Sequence, residues 1–410
     1  MATRTQAYPC PKRLMEKAKI ALSPDLPGSY YDNYLYFQEE DMIVLKAAQE
    51  KLLVALQSVA GIVERRHTLP ILANVLMRKN GDAVEFTTSD LEIQVRTHAE
   101  LGGDAGPFAT TVGARKLIDI LRALPADQVV TLSAAQNKLS LTAGKSRFTL
   151  QTLPSDDFPL VNESADFGPS FAVPQKTLRD LVNQVHFAMA VHDIRYYLNG
   201  ILFIAEGRTL TLVATDGHRL ALAQSTLDVD VPSKQEVILP RKTVLELQRL
   251  LKDEDTPIEM RFAGNQARFA FSGMEFVSKL VEGKFPDFNR VIPKNHKNII
   301  VLGRVPLLGC LQRAAILTSE KFKGVRVNVE PGTLRIASSN AEQEEAKEEL
   351  EIDYNGDAIE IGFNVTYLID ALSNIDQEMV KLELQDSNAS VLITVPERSG
   401  FKYVVMPMRI

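Results

Sequence analysis

The chain has 410 residues, 45% hydrophobic and 24% charged, and no apolar run long enough to cross a membrane as a helix. With only two cysteines, Cys10 and Cys310, a disulfide framework is not expected and a reducing, cytoplasmic setting fits best. The first residues are basic but lack the apolar core of a secretory signal, and a formal net charge of −6 argues at first sight against a nucleic-acid partner.

In chain order, the first helix-like segment opens at Ala47 (AAQEKLLVALQSVAGI), with Leu52, Leu53, Leu56 and Val59 on one face. The strand-like run LPILANVLM follows it. A second helix type, ARKLIDILRAL from Ala114, is trailed by the alternating run VVTLSAAQNKLSLTAGKSRFTLQTL, which reads as hairpins with one face buried. The same order then returns. QKTLRDLVNQVHFAMA from Gln175 precedes YYLNGILFIA, and RKTVLELQRLLK from Arg241 precedes PIEMRFAGNQARFAFSGMEFVSKLV. It returns once more, as RVPLLGCLQRAAILTS from Arg304 with KGVRVNVE, then NVTYLIDALSNI from Asn364 with VKLELQDSNASVLITVPERSGFKYVVM.

The fold class is therefore α+β, with three copies of a unit of about 125 residues, too long for a solenoid repeat and matching a domain. We expect domains at 42–166, 167–294 and 295–410, each with two helices and antiparallel sheets, so six half-units in all. Triplication alone can record no more than gene duplication. A repeat that packs on its neighbour in one fixed way, however, curves into an arc.

Charge placement answers the objection from net charge. The six helix-like segments hold twelve cations (Lys51, Arg115, Lys116, Arg122, Lys176, Arg179, Arg241, Lys242, Arg249, Lys252, Arg304, Arg313) against five acids (Glu50, Asp119, Asp180, Glu246, Asp370). That is a net of +7 on the helices, which leaves −13 for the rest of a chain whose total is −6. Helices gathered on one side of a curved sheet would make a basic wall that attracts phosphates without reading bases. Lys and Arg favour helices, but Glu favours them equally, so propensity does not account for the bias.

The most catalytic-looking string is ATDGHRL, where Asp216 and His218 could form an acid–base pair beside Arg219. No Gly-x-Ser-x-Gly, P-loop or dinucleotide fingerprint accompanies it. The six histidines lack metal-ligand spacing, and the acidic tract from Glu342 to Glu351 lacks the glycine of a calcium loop. Two strings look like binding surfaces instead. Arg195, Tyr196, Tyr197 and Leu198 place a cation and two aromatics after a helix, either as a core corner or as a stack for nucleic acid. The chain ends apolar and Met-rich, YVVMPMRI, where termini are usually polar and frayed.

The strings HTLPILANVL, TLP at 152–154, DIRYYLNG, ATDGHRLA, KFPDFNRVIP, EKFKGVR, EQEEA, GFNVTYL and YVVMPMR together resemble the beta sliding clamps, the processivity subunit of bacterial DNA polymerase III. The resemblance runs from Met42 to Ile410. It implies three clamp domains per subunit, two subunits closed head to tail into a ring around duplex DNA, and no catalysis, cofactor or metal. Closure would join Ile316 and Leu317 of the third domain to Ile120 and Leu124 of the first. Glu344, Glu345, Glu348 and Glu349 would face Lys116, Lys145 and Arg147. The family's pocket takes short linear motifs from the polymerase III alpha subunit, the clamp loader, other polymerases and repair proteins. Its positions match Leu198, Thr215, Gly217, His218, Arg219, Leu220, Pro286, Arg290, Val291, Asn364, Tyr367, Ser390, Val404, Val405, Met406, Pro407, Met408 and Arg409. Arg66, Arg195, Tyr196 and Tyr197 match the DNA-touching positions. His67 stands where some relatives have proline. Asn388 stands where some have valine, which would make one pocket corner more polar.

Residues 1–41 have no counterpart in that resemblance. Tyr34 to Gln38 (YLYFQ) is similar to a viral protease cleavage site, without a histidine tag. The preferred reading is an upstream start with Met42 as the functional first residue, and a native extension is the alternative.

Overall fold

The computed structural model describes residues 42–63, 69–104, 106–135, 137–294, 296–319, 322–396 and 398–410. Residues 1–41, and with them the expectations about the extension, lie outside the described residues, as do Arg66 and His67. Among the described residues there are six α-helices: α1 (Gln49–Val59), α2 (Ala114–Ala123), α3 (Gln175–Val185), α4 (Arg241–Leu250), α5 (Arg304–Ile316) and α6 (Val365–Ser373). Each starts on the residue after a strand ends, which makes six strand–helix half-units and two per repeat. The helices pack in pairs, α1 on α2, α3 on α4 and α5 on α6. The periodicity behind the expected faces is real: Leu52, Leu56 and Val59 of α1 are buried, as are Leu117, Ile118 and Leu121 of α2.

The boundaries differ in three places. Ala47 and Ala48 end the strand Met42–Ala48 rather than open α1. The run after α3 tightens into a 3-10 turn at His186–Ala188, and Tyr196–Leu198 forms another, so the next strand begins only at Gly200. Periodicity marks a face, but capping and tertiary packing mark an end.

The helix starts carry few caps. Among the described helices only α6 has a side-chain N-cap, Asn364 Oδ1 accepting from Thr366 N at 3.0 Å. Cations sit in the first turns of α2 to α5, where the macrodipole disfavours them. Two of them serve the paired helix. Arg304 donates to the carbonyl of Leu372 near the end of α6 at 3.0 Å, and Arg115 to that of Val63 just beyond α1 at 2.6 Å. Each supplies donors to a helix end that lacks them.

Strand pairing joins the repeats. A twelve-stranded sheet passes from the first to the second repeat where Ile93–Glu100 pairs antiparallel with Met274–Lys279, Thr97 opposite Met274 and Ile93 opposite Ser278. A six-stranded sheet passes from the second to the third where Arg219 to Ala223 pair with Phe401 to Val405. Glu345–Glu351 is the edge of the last, four-stranded sheet. Residues Ile43–Ile410 form one compact unit, with a sheet crossing each of the two repeat boundaries.

Charges fasten the first seam. Arg96 and Arg268 alternate with Glu163 and Glu275, with Arg96–Glu163 at 2.8 Å, Arg268–Glu275 at 2.5 Å and Arg96 also bonded to Glu275. Burial would raise the Glu275 pKa, but the two guanidiniums outweigh it and hold that carboxyl low. On the helix side, Lys242 pairs with Asp90, and Arg249 donates to the carbonyls of Gln57 and Ser58 at 3.3 and 3.1 Å.

Candidate functional site

Apart from the main core, a second apolar cluster forms at the second seam from Ala190, Leu198, Leu202, Val213, Leu220, Phe285 and Val404 among others. A cavity of about 180 Å³ opens above it, lined by Arg195, Leu198, Thr215, Gly217, His218, Arg219, Leu220, Phe285, Pro286, Phe288, Val291, Val404 and Met406. The turn from Thr215 to Arg219 forms one wall. Thr215 Oγ1 donates to Arg219 O at 2.6 Å and accepts from Gly217 N at 3.1 Å. Gly217 takes φ +90°, and a Cβ there would meet the Arg195 guanidinium at 3.0 Å, so glycine is required by both backbone and neighbour. The C-terminal strand lies alongside, with Val404 opposite Leu220 and Met406 N donating to His218 O at 2.9 Å. The loop carrying Phe285, Pro286, Phe288 and Val291 closes the other side.

Asp216 and His218 do not form a catalytic pair. Asp216 Oδ1 accepts from the backbone N–H groups of His218 and Arg219 at 2.9 and 3.1 Å, and Oδ2 binds the Arg219 guanidinium. Its carboxylate shapes a turn and a seam rather than orienting an imidazole. Among the described residues no group of three or more His, Cys, Asp or Glu is placed to hold a metal ion.

Ten of the residues expected in the pocket line this cavity, from Leu198 to Met406. The others lie around it. Val405 is buried opposite Arg219, and Tyr367 stacks on Arg219 with 4.5 Å from guanidinium carbon to ring centre. Arg290 points to solvent, paired with Asp287 at 3.0 Å. Asn364 caps α6, and Ser390 precedes the strand Val391–Val395. Asn388 is exposed in the turn governed by Asp386 and does not line the cavity. Beyond Met406, Pro407 and Arg409 leave the cavity as the tail turns back. Met408 N donates to Gly362 O at 2.7 Å, and a Cβ on Gly362 would meet Met408 O at 2.3 Å. Phe285 and Phe288, outside the expected positions, also line the cavity; two aromatics flanking the proline of KFPDFNR are the signal in the sequence that marks them.

The aromatic loop divides. Tyr196 is 56% exposed, whereas Tyr197 packs on the cluster beneath the cavity. Arg195 is exposed yet tied to Asp193 by two bonds, Nε at 3.0 Å and Nη2 at 2.8 Å. That guanidinium, with the Arg195 N–H, holds the Asp193 carboxyl at a pKa of about 2.

Among the open strand edges of the described residues, two are of opposite charge. Ser146–Leu153 pairs with Lys138–Ala143 on one side, but on the other meets Phe108–Gly113 only through Thr152 and Leu153. It carries Arg147, with Lys145 just before it, and shows Phe148 and half-buried Leu150 to the surface. Lys116 is exposed on α2, while Ile120 and Leu124 are half-buried. Glu345–Glu351 is the other open edge, and beside it Ile316, at the end of α5, is 75% exposed with Leu317 half-buried. Its acids are engaged within the chain: Glu348 with Arg313 at 2.5 Å, Glu349 with Arg335 at 2.8 Å, Glu345 with Lys347 at 2.9 Å and Glu344 with Asn340 at 2.6 Å. A larger open groove, about 1150 Å³, adjoins the basic edge and includes Lys116, Arg122, Leu150 and Leu153. It is a wide trough open to solvent with several charged side chains in its lining, so the smaller and more apolar cavity is the better ligand site.

Profiles of the DNA polymerase III beta subunit match along the chain: its N-terminal domain at residues 43–162, its central domain at 172–287 and its C-terminal domain at 289–409. The chain belongs to the beta sliding clamp family. It is 46% identical to the beta sliding clamp of Pseudomonas aeruginosa over 367 residues, 88% of this chain and 98% of that one. It is 42% identical to that of Escherichia coli over 362 residues, with the same coverage. The crystal structure of the Pseudomonas aeruginosa DNA polymerase III subunit beta superposes with a TM-score of 0.85 at 44% identity, covering 89% of this chain and all of that one. A second structure of that sliding clamp, bound to griselimycin, gives 0.86 over 90% of this chain and all of that one. As a beta sliding clamp, the chain is a replication processivity factor whose three repeats are clamp domains.

Proposed function

We propose that two copies close head to tail into a ring, the basic Lys145–Arg147 edge of one meeting the acidic Glu345–Glu351 edge of the other. The carrying observation is that the first and third repeats each leave a strand edge largely open, and that the two edges are of opposite charge. An open edge is a template for another strand, and a two-fold operator satisfies both at once. Ile316 and Leu317 would be covered by Ile120, Leu124, Phe148 and Leu150. Domain boundaries near 166 and 294 leave each domain its own helix pair. Inside the ring the subunit does no chemistry and needs no cofactor or metal. It works in the cytoplasm, holds duplex DNA without sequence preference through its helices, Arg66 and the Arg195–Tyr197 loop, and tethers the polymerase III alpha subunit, the loader and repair proteins by short motifs in the cavity. The griselimycin-bound relative supports a ligand-binding clamp surface.

Sedimentation and DNA retention test this together. The chain should run as a dimer and, once loaded, stay on nicked circular DNA while sliding off linear ends. A monomer that binds both DNA forms equally would point instead to a scaffold that does not encircle.

A further inference from the structure

Arg219 lines the cavity, yet each of its three guanidinium nitrogens is bonded to a group that does not. Nε binds Asp216 Oδ2 at 3.1 Å, Nη1 binds Asp370 Oδ2 at 2.5 Å and Nη2 donates to Phe187 O at 2.7 Å. The head lies over the rings of Tyr367 at 4.5 Å and Phe187 at 5.7 Å, and only 10% of the side chain is exposed. Three separate parts of the fold therefore meet on one side chain: the Thr215–Arg219 turn, the segment after α3, and α6 of the third repeat. A guanidinium whose three nitrogens are all engaged away from the cavity, and which is nearly buried, serves the cavity as a fixed wall rather than as a hydrogen-bonding hand.

We propose that Asp370 is a positioning residue for the cavity: its carboxylate fixes Arg219, and through it couples ligand binding to the seam between the second and third repeats. This rests on reading the cavity as a peptide site. Without the Asp370 charge, Arg219 keeps Asp216 as its only carboxylate partner and is free to turn with the turn it belongs to. A cavity of this size changes shape when one wall moves. α6 has other anchors, with Arg304 Nη1 donating to the Leu372 carbonyl at 3.0 Å and the Tyr403 hydroxyl to Tyr367 O at 3.0 Å. Removing the carboxylate charge therefore leaves the helix in place. Coupling is reciprocal, so a bound peptide must in turn steady α6.

Calorimetry on the full chain, with a synthetic peptide carrying a glutamine followed by spaced leucine and phenylalanine, decides it. Asp370→Asn should bind about tenfold more weakly than the unaltered chain, with its circular dichroism unchanged, and Asp370→Glu should restore most of the loss. Hydrogen exchange on the unaltered chain gives a reading independent of any variant: saturating peptide should slow amide exchange across α6. Equal affinity for Asp370→Asn, with only its melting temperature lowered, would overturn the proposal and leave the peptide site standing. So would α6 exchange that ignores the peptide. If the unaltered chain fails to bind the peptide, the site itself is misread, and the coupling falls with it.

Discussion

Single residues here do two jobs, and the pairs they form say which is dominant. Asp193 competes with any phosphate for Arg195, so Asp193→Asn should strengthen binding to duplex DNA at low salt while Arg195→Ala weakens it; fluorescence anisotropy with a labelled duplex measures both. The Asp193 carboxyl lies at about 2, below its ordinary 3.8. The pair therefore contributes fully above the ordinary aspartate range and fades as pH falls from there through about 2. Over any physiological pH the loop stays pinned. At the C-terminus, Met406 and Met408 separate in the same way. Met406 lines the cavity, whereas Met408 is hydrogen-bonded to Gly362 and Ile410 packs on Gly362 and Gly324. Met406→Ala should weaken a pocket peptide about tenfold with little change in melting temperature. Removing residues 408–410 should lower the melting temperature and leave affinity nearly unchanged. The opposite assignment of effects would show that the tail beyond Met406, rather than Met406, makes the wall.

Among elements, the two open edges carry the argument for closure. The acids of Glu345–Glu351 already have partners in their own chain, so closing the ring exchanges ion pairs more than it creates them. Exposed pairs contribute little in any case. The apolar contact around Ile316 should therefore dominate. Ile316→Asp with Leu317→Asp would leave unpaired charge in a covered surface, at a cost of about 3 kcal/mol or more, and should give a folded monomer. Raising salt from 0.1 to 1 M should shift the dimer constant by less than about tenfold. Sedimentation measures both. A dimer indifferent to the double substitution would place the interface elsewhere, and one dissolved by salt alone would make the charges primary.

The same pairing changes the expectation for the whole molecule. Counted along the sequence, the helices carry +7. Folded, much of that charge meets acids from outside the helices: Lys176 and Arg179 meet Asp253 at 3.3 and 3.4 Å, Lys242 meets Asp90, and Arg313 meets Glu348. Among the described residues, Lys51 and Lys116 form no salt bridge. DNA in the proposed ring should thus release few counterions. The slope of log affinity against log salt should correspond to about three phosphates rather than about seven, read by anisotropy on a duplex without free ends. A steeper slope would mean that the pairs open to meet the backbone. Weak, shallow contact of this kind would suit the proposed ring, which has to move along its track.

The sequence determined the elements, the threefold repeat and the family, because hydrophobic period and local strings are carried by neighbours in the chain. Leu117, Ile118 and Leu121 are buried in α2 as their spacing requires, and ATDGHRL supplies both its own turn and one wall of the cavity. Tertiary structure decided what depends on distant partners. No local pattern tells Thr97 to pair with Met274, sends the Arg219 head to Asp370, or spends the Glu348 charge on Arg313. The physical reason is one of range. Side-chain periodicity acts over a few residues, whereas strand register and charge pairing are chosen among groups that meet only once the sheets have closed on their helices.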